Sequence, residues 1–100
     1  LFKKYFKVFN KMKGISLFKE PKNAKSNYWL QTLVLSKNNI KLRNKILKES
    51  HDKSIYVRPV WKLISDLKPY KKNQKMNLSG ARDIYNRTIN LPSSQSLILK

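Results

Sequence analysis

Cysteine is absent from this 100-residue chain, which excludes disulfides and thiolate metal sites. Only two glycines occur, Gly14 and Gly80, so a glycine-rich phosphate loop is excluded as well. One histidine, His51, and five acidic residues, Glu20, Glu49, Asp52, Asp66 and Asp83, are too few and too dispersed for a metal cluster or a working carboxylate pair. His51 reads instead as a helix C-terminal residue that meets partly negative carbonyls. No run of about 18 apolar residues is present, so no membrane span is expected. The N-terminal LFKKYFKVFNKMK lacks the apolar block and cleavage site of a signal peptide, which makes a cytoplasmic location the expectation.

Basic residues are abundant: 23 Lys+Arg stand against 5 Asp+Glu, a formal net charge of +18. Such a balance invites a polyanion. Residue choice argues the other way. Nineteen of the 23 are lysines and only four are arginines, the residue whose planar fork suits base edges and phosphates. The lysines are also scattered along the chain instead of forming one block. No specific nucleic acid is therefore expected, and a small basic nucleic-acid-binding module is the alternative reading. A 40% hydrophobic share with 11% aromatics predicts one folded domain.

Along the chain, Phe2, Tyr5, Phe6, Phe9 and Met12 repeat at helical spacing, with lysines opposite and Gly14 as a stop, predicting a helix over 2–13. That aromatic face is expected to pack on a partner surface; a helix lying on anionic lipid is the alternative. Residues 19–27 read as loop. YWLQTLVL, 28–35, reads as a strand covered on both faces. A helix is expected over about 40–50, with Ile40, Leu42, Ile46 and Leu47 inward and Arg43 interrupting the stripe. SIYVRPVW reads as a second strand ended by Pro59. Ile64, Leu67 and Tyr70 fit a short helix or irregular segment, and the lysine-rich stretch after Leu67 a loop. Ser79 is expected to cap a last helix with Ala81, Ile84, Tyr85 and Thr88 inward, followed by the strand INLP. The order predicts an α+β fold, a small sheet of about three strands with helices packed on one face.

The ordered set EPKNAKSNYWLQTLVL, RPVWK and INLPSS resembles the C-terminal segment of the DegT/DnrJ/EryC1/StrS family, pyridoxal-phosphate-dependent aminotransferases of nucleotide-linked keto-sugars. The similarity spans essentially all 100 residues, with its nearest flavour in the branch serving legionaminic-type glycans. It implies the small C-terminal domain of a fold-type I aminotransferase in cell-surface polysaccharide biosynthesis, with residues 1–14 as a connecting helix and 15–100 as the small domain. It also implies a homodimeric parent whose large domain holds pyridoxal phosphate. The Schiff-base lysine of the family lies upstream of this region, and no lysine here has a matching context. The chain alone is thus expected to hold no cofactor and to be catalytically incompetent.

The resemblance further implies substrate contacts at Arg58, Trp61 and Lys62, with Asn27 and Tyr28 matching a second stretch of the pattern. An arginine suits a phosphate or carboxylate because it donates two parallel hydrogen bonds. Trp61 reads equally as a stacking wall or as core. Asn27 and Tyr28 read equally as strand-edge residues. Many family members place a histidine where this chain has Ser65.

Overall fold

Gln31, Leu33 and Leu35 are buried and alternate with half-buried Thr32 and Val34, the period-two pattern of a strand with one face in the core. This strand, β2 (Gln31–Leu35), is central in a four-stranded antiparallel sheet of order β1-β2-β4-β3 in the computed structural model, which describes residues 1–99. β1 is Ile15–Leu17, β3 is Arg58–Pro59 and β4 is Thr88–Leu91. The register sets Leu33 between Leu17 and Ile89, so the buried side chains of three strands meet on one face. Ile89 is 0% exposed, and Leu17, Leu35 and Val57 complete the buried apolar core.

Helix α1 (Phe2–Phe9) and helix α2 (Ile40–Asp52) lie over that face. Tyr5 and Phe9 from α1, Ile46 from α2 and Leu33 and Leu91 from the sheet enclose an apolar cavity of about 400 Å³. The aromatic stripe of α1 is therefore turned onto this chain. Phe2 stacks on Tyr28 at a centroid distance of 3.8 Å, and the Tyr5 hydroxyl donates to the Pro92 carbonyl at 2.7 Å. Lys4 Nζ donates to the Ile98 carbonyl, tying the helix to the far end of the chain. Gly14, at φ +83°, makes the reversal from α1 into β1 that a side-chain-bearing residue would strain to adopt.

Several sequence expectations need correction. The first helix stops at Phe9, with turns filling 10–14. The apolar stretch after it is a fourth strand, β1. The strand expected over 28–35 begins only at Gln31, because Tyr28 sits at φ +49° and the Ser26 and Asn27 side chains accept from the N–H groups of Tyr28 and Trp29. Arg43, expected to interrupt the inner stripe of α2, is its most buried residue at 5% exposure, whereas Ile40 and Leu42 are exposed. Its Nη1 donates to the Tyr85 carbonyl at 2.7 Å, Nε and Nη2 share Asn44 Oδ1, and the guanidinium lies 4.8 Å from the Tyr85 ring centroid. Delocalised charge and a long stem let arginine occupy a place an aliphatic residue was expected to fill. Asn39 caps α2 through Leu42 N, as the preceding polar run foretold.

Pro59 ends the second strand as expected, but that strand, β3, is only two residues long and leaves residues 54–57 outside it. Pro59 pairs with Ile89 on the sheet edge, the place in a sheet where a proline is tolerated. Helix α3 (Ser79–Asn86) has Ser79 as its first residue and not as its cap; Asn77 Oδ1 accepts from Ser79 N. Ala81 and Ile84 are exposed, while Thr88 belongs to β4 and donates to the Ile84 carbonyl. Two single-turn 3-10 helices, Ile64–Asp66 and Lys68–Tyr70, bridge β3 to α3. The Arg82–Asp66 ion pair fixes the first of them to α3 at 2.8 Å.

The buried and the exposed arginine provide a test. Arg43→Ala removes three charge-assisted hydrogen bonds from the interior and is expected to cost about 2–4 kcal/mol in urea unfolding. Arg82→Ala breaks a solvent-exposed pair and is expected to leave the unfolding midpoint nearly unchanged. Equal losses would show that Arg43 is not an interior anchor.

Burial raises the pKa of Tyr5 above the usual tyrosine value. The folded state thus favours the neutral phenol, so the stability from Tyr5 is complete below the unfolded pKa near pH 10 and is lost as pH rises through the higher folded value. Wild-type melting temperature should accordingly fall more steeply from pH 9 to pH 11 than that of Tyr5→Phe, measured in parallel scans.

Candidate functional site

Val57, 3% exposed, anchors the segment that carries β3 to the sheet edge. With Val57 held inward, alternation turns Arg58 to the opposite face, directly across from Asn90 of β4. Beyond Pro59 the chain leaves the sheet, and Val60, Trp61 and Lys62 curl around a concavity of about 600 Å³. Tyr56, Leu30 and Tyr85 supply further walls, and Asn90, Pro92 and Ser93 close its side along β4 and the residues that follow. Arg43 packs behind Tyr85, so that wall is fixed from the interior.

Trp61 is 82% exposed, which answers its open question: it is not core. Three of the four arginines have partners, Arg43 at Tyr85, Arg82 at Asp66 and Arg87 at Asp83. Arg58 has no hydrogen-bond or ion-pair partner among the described residues. Arg58, Trp61 and Lys62 line one concavity. Sequence reasoning missed Tyr56, two residues before Arg58, and also Tyr85 and Asn90, which only strand register and helix packing bring to Arg58.

Asn27 and Tyr28 lie apart from that group. They border a separate hollow of about 260 Å³ with Phe2 and Gln31, sharing only Ser93 with the first concavity. Both have local partners: Asn27 Oδ1 accepts from Trp29 N, and the Tyr28 hydroxyl accepts from Glu20 N while its ring stacks on Phe2. Buried Gln31 donates to the Tyr28 carbonyl at 2.7 Å, and its Oε1 has no protein partner. Ser65 is on the turn Ile64–Asp66 and does not line the Arg58 concavity.

Among the described residues, no carboxylate lines the concavity. The five acidic side chains are engaged elsewhere: Glu20 accepts from Ser26 N, and Glu49, Asp52, Asp66 and Asp83 pair with Lys45, Lys48, Arg82 and Arg87. The Arg82 guanidinium beside Asp66 holds its carboxyl below the usual carboxylate value. His51 sits in the last turn of α2 with Nε2 2.7 Å from the Val57 carbonyl, fastening the helix end to the approach of β3. No group of metal-ligating side chains exists among the described residues. The site therefore has cationic and neutral donors, aromatic walls and no adjacent acid–base pair. Such a lining is chemically suited to anionic oxygens and a planar ring.

A pyridoxal phosphate site requires a lysine within a closed pocket and a carboxylate facing the pyridine nitrogen. Every described lysine is exposed, and Lys62, the one beside Arg58, has no carboxylate near it in the concavity. The described residues do not fit the cofactor. No helix among them is long and apolar enough to cross a membrane.

Among solved structures, the chain is similar to an aminotransferase, TlmJ from Streptoalloteichus hindustanus, with a TM-score of 0.80 and 17% sequence identity. The match covers 95% of this chain and 25% of that one, so the chain spans about a quarter of that protein, and the likeness is one of fold. No curated protein matches the sequence. A family model described as the DegT/DnrJ/EryC1/StrS aminotransferase family matches residues 1–100. Sequence pattern, α+β sheet and donor-lined concavity thus meet in one assignment: the chain belongs to the DegT/DnrJ/EryC1/StrS aminotransferase family.

Proposed function

We propose that this chain is the C-terminal small domain of a pyridoxal-phosphate-dependent aminotransferase acting on nucleotide-linked keto-sugars, and that it is not catalytically competent alone. In the parent enzyme, a cytoplasmic homodimer, the product serves cell-surface polysaccharide synthesis, of the legionaminic type by sequence resemblance. One observation carries the substrate reading: unpaired Arg58 stands with exposed Trp61 and Lys62 over a concavity free of carboxylates. The guanidinium supplies a bidentate clamp for a phosphate, and the indole supplies a face for a base or sugar ring. When bound in the large domain, the cofactor supplies an electron sink for amino transfer. The residues here bind and orient the substrate's nucleotide end. Asn27 and Tyr28 bound the neighbouring hollow and are proposed to shape its far margin.

The surface of the chain supports the missing large domain. Its solvent-accessible area is 8373 Å², against about 6,000 Å² for a compact monomer of 11.9 kDa. Its radius of gyration is 15.1 Å, against about 13 Å for a compact 100-residue domain. Trp29, Ile64 and Met76 are among many large apolar side chains left in solvent. The nucleic-acid alternative finds no support in the arginines, three of which are spent on internal contacts.

In the parent enzyme, Arg58→Ala is expected to reduce kcat/KM for the nucleotide sugar by roughly 1.5–3 kcal/mol of binding, the worth of hydrogen bonds to a charged group. Trp61→Ala is expected to raise KM by about 1–3 kcal/mol of lost stacking. Neither should shift the melting temperature appreciably, since both side chains are exposed. Wild-type kinetics for Arg58→Ala would remove it from the substrate site.

The 100-residue chain mixed with pyridoxal phosphate is expected to show only scattered, partial labelling of surface lysines after borohydride treatment. A stoichiometric adduct at one defined lysine, seen in the near-visible spectrum and by mass spectrometry, would refute the claim that the chain alone holds no cofactor.

A further inference from the structure

Three polar side chains form a transverse row on the sheet face that carries the concavity. Thr32 of β2 is opposite Asn90 of β4, and Asn90 is opposite Arg58 of β3. Thr32 Oγ1 donates to Asn90 Oδ1 at 2.9 Å, which engages the carboxamide oxygen from the side away from Arg58. The Asn90 NH2, a group with two donors, is left without a protein partner among the described residues. Asn90 lines the concavity together with Arg58 and Lys62, whose head groups are also donors only. With the amide placed this way, the middle of the row offers hydrogens. All three residues stand on paired strands, so their spacing is set by the ladder and not by a loop.

We propose that Asn90 is a specificity-determining residue of this site, donating beside the Arg58 guanidinium to the anionic oxygens of a nucleoside diphosphate, with Thr32 as the residue that positions its amide. This rests on the reading of the concavity as a nucleotide-sugar site and adds to it a residue and a polarity. An anion brings only acceptors, so an amide presenting its oxygen would repel it, and an amide free to turn would spend part of its time doing so. The Thr32 bond holds the Asn90 oxygen in the orientation seen here before the ligand arrives. Ligands carrying a hydrogen-bond donor at the same place, such as a neutral amide, are disfavoured by the same polarity.

The test titrates the 100-residue chain with uridine diphosphate at about 0.15 M salt, where diffuse attraction to the positive surface is screened. Calorimetry reads affinity, side-chain amide NMR reads Asn90, and circular dichroism verifies the fold of each variant. The Asn90 amide protons are expected to shift on binding. Asn90→Asp keeps the shape and the Thr32 bond but puts a carboxylate oxygen where the donor stood, and should weaken binding about tenfold or more. Thr32→Val should weaken it in the same direction, while Thr32→Ser, which retains the hydroxyl, should bind like wild type. If Thr32→Val does not fold, the Asn90→Asp result and the Asn90 amide shift decide the matter. Binding that is lost in Arg58→Ala but indifferent to Asn90→Asp overturns this inference and leaves the substrate reading intact. Binding indifferent to Arg58→Ala, or no binding, overturns both.

Discussion

The antiparallel pairing of β2 with β4 is the constraint on which the rest of this structure depends. One register places Leu33 opposite Ile89 in the core and Thr32 opposite Asn90 on the other face. Because side chains alternate with period two, a slip of one residue would put Asn90 into the core and Ile89 into the candidate site. Two further bonds extend the register past the strand end: Leu35 N donates to the Arg87 carbonyl, and Arg87 Nη1 donates to the Leu35 carbonyl. Both edge strands depend on this central pair. β1 joins through Leu17 and Leu33, and β3 through Pro59 and Ile89.

The interior is small for the surface it supports. Apolar burial is concentrated in Leu17, Leu33, Leu35, Val57 and Ile89, and polar anchors take up where aliphatic packing ends. Arg43 spans from α2 to Tyr85, and His51 joins the end of the same helix to Val57. Both fasten elements that frame the concavity, Tyr85 as a wall and Val57 as the root of β3. Site and scaffold are therefore coupled through two hydrogen-bonding side chains and not through a thick core. A domain built this way gains from a partner surface, which matches the breadth of exposed apolar side chains.

Charge follows the same division. The few carboxylates pair with lysines and arginines along helices or hold loop amides, so none reaches the concavity. A surplus of lysine thus produces a diffuse positive surface, and Arg58, without a partner among the described residues, is where that charge can become directional. Direction, more than net charge, distinguishes a ligand site from a solvated face.

Much of this was legible in the residues. Helical spacing from Phe2 to Phe9 and the polar run before Ile40 located two helices, the apolar runs YWLQTLVL and INLP located the central strands, and RPVWK is the stretch that lines the candidate site. Local pattern determines these because helix and strand periods are properties of adjacent residues. The sequence left undecided whether Trp61 was core or wall and that the short run Ile15–Leu17 was a strand, and it drew the first two elements too long. It misread Arg43 as an interruption, since burial of a cation depends on a distant carbonyl and ring. It separated neither Asn27 and Tyr28 from Arg58 nor Asn90 from its neighbours. Those decisions belong to tertiary structure, because they depend on which residues far apart in the chain come to lie side by side, and strand register and helix docking alone settle that.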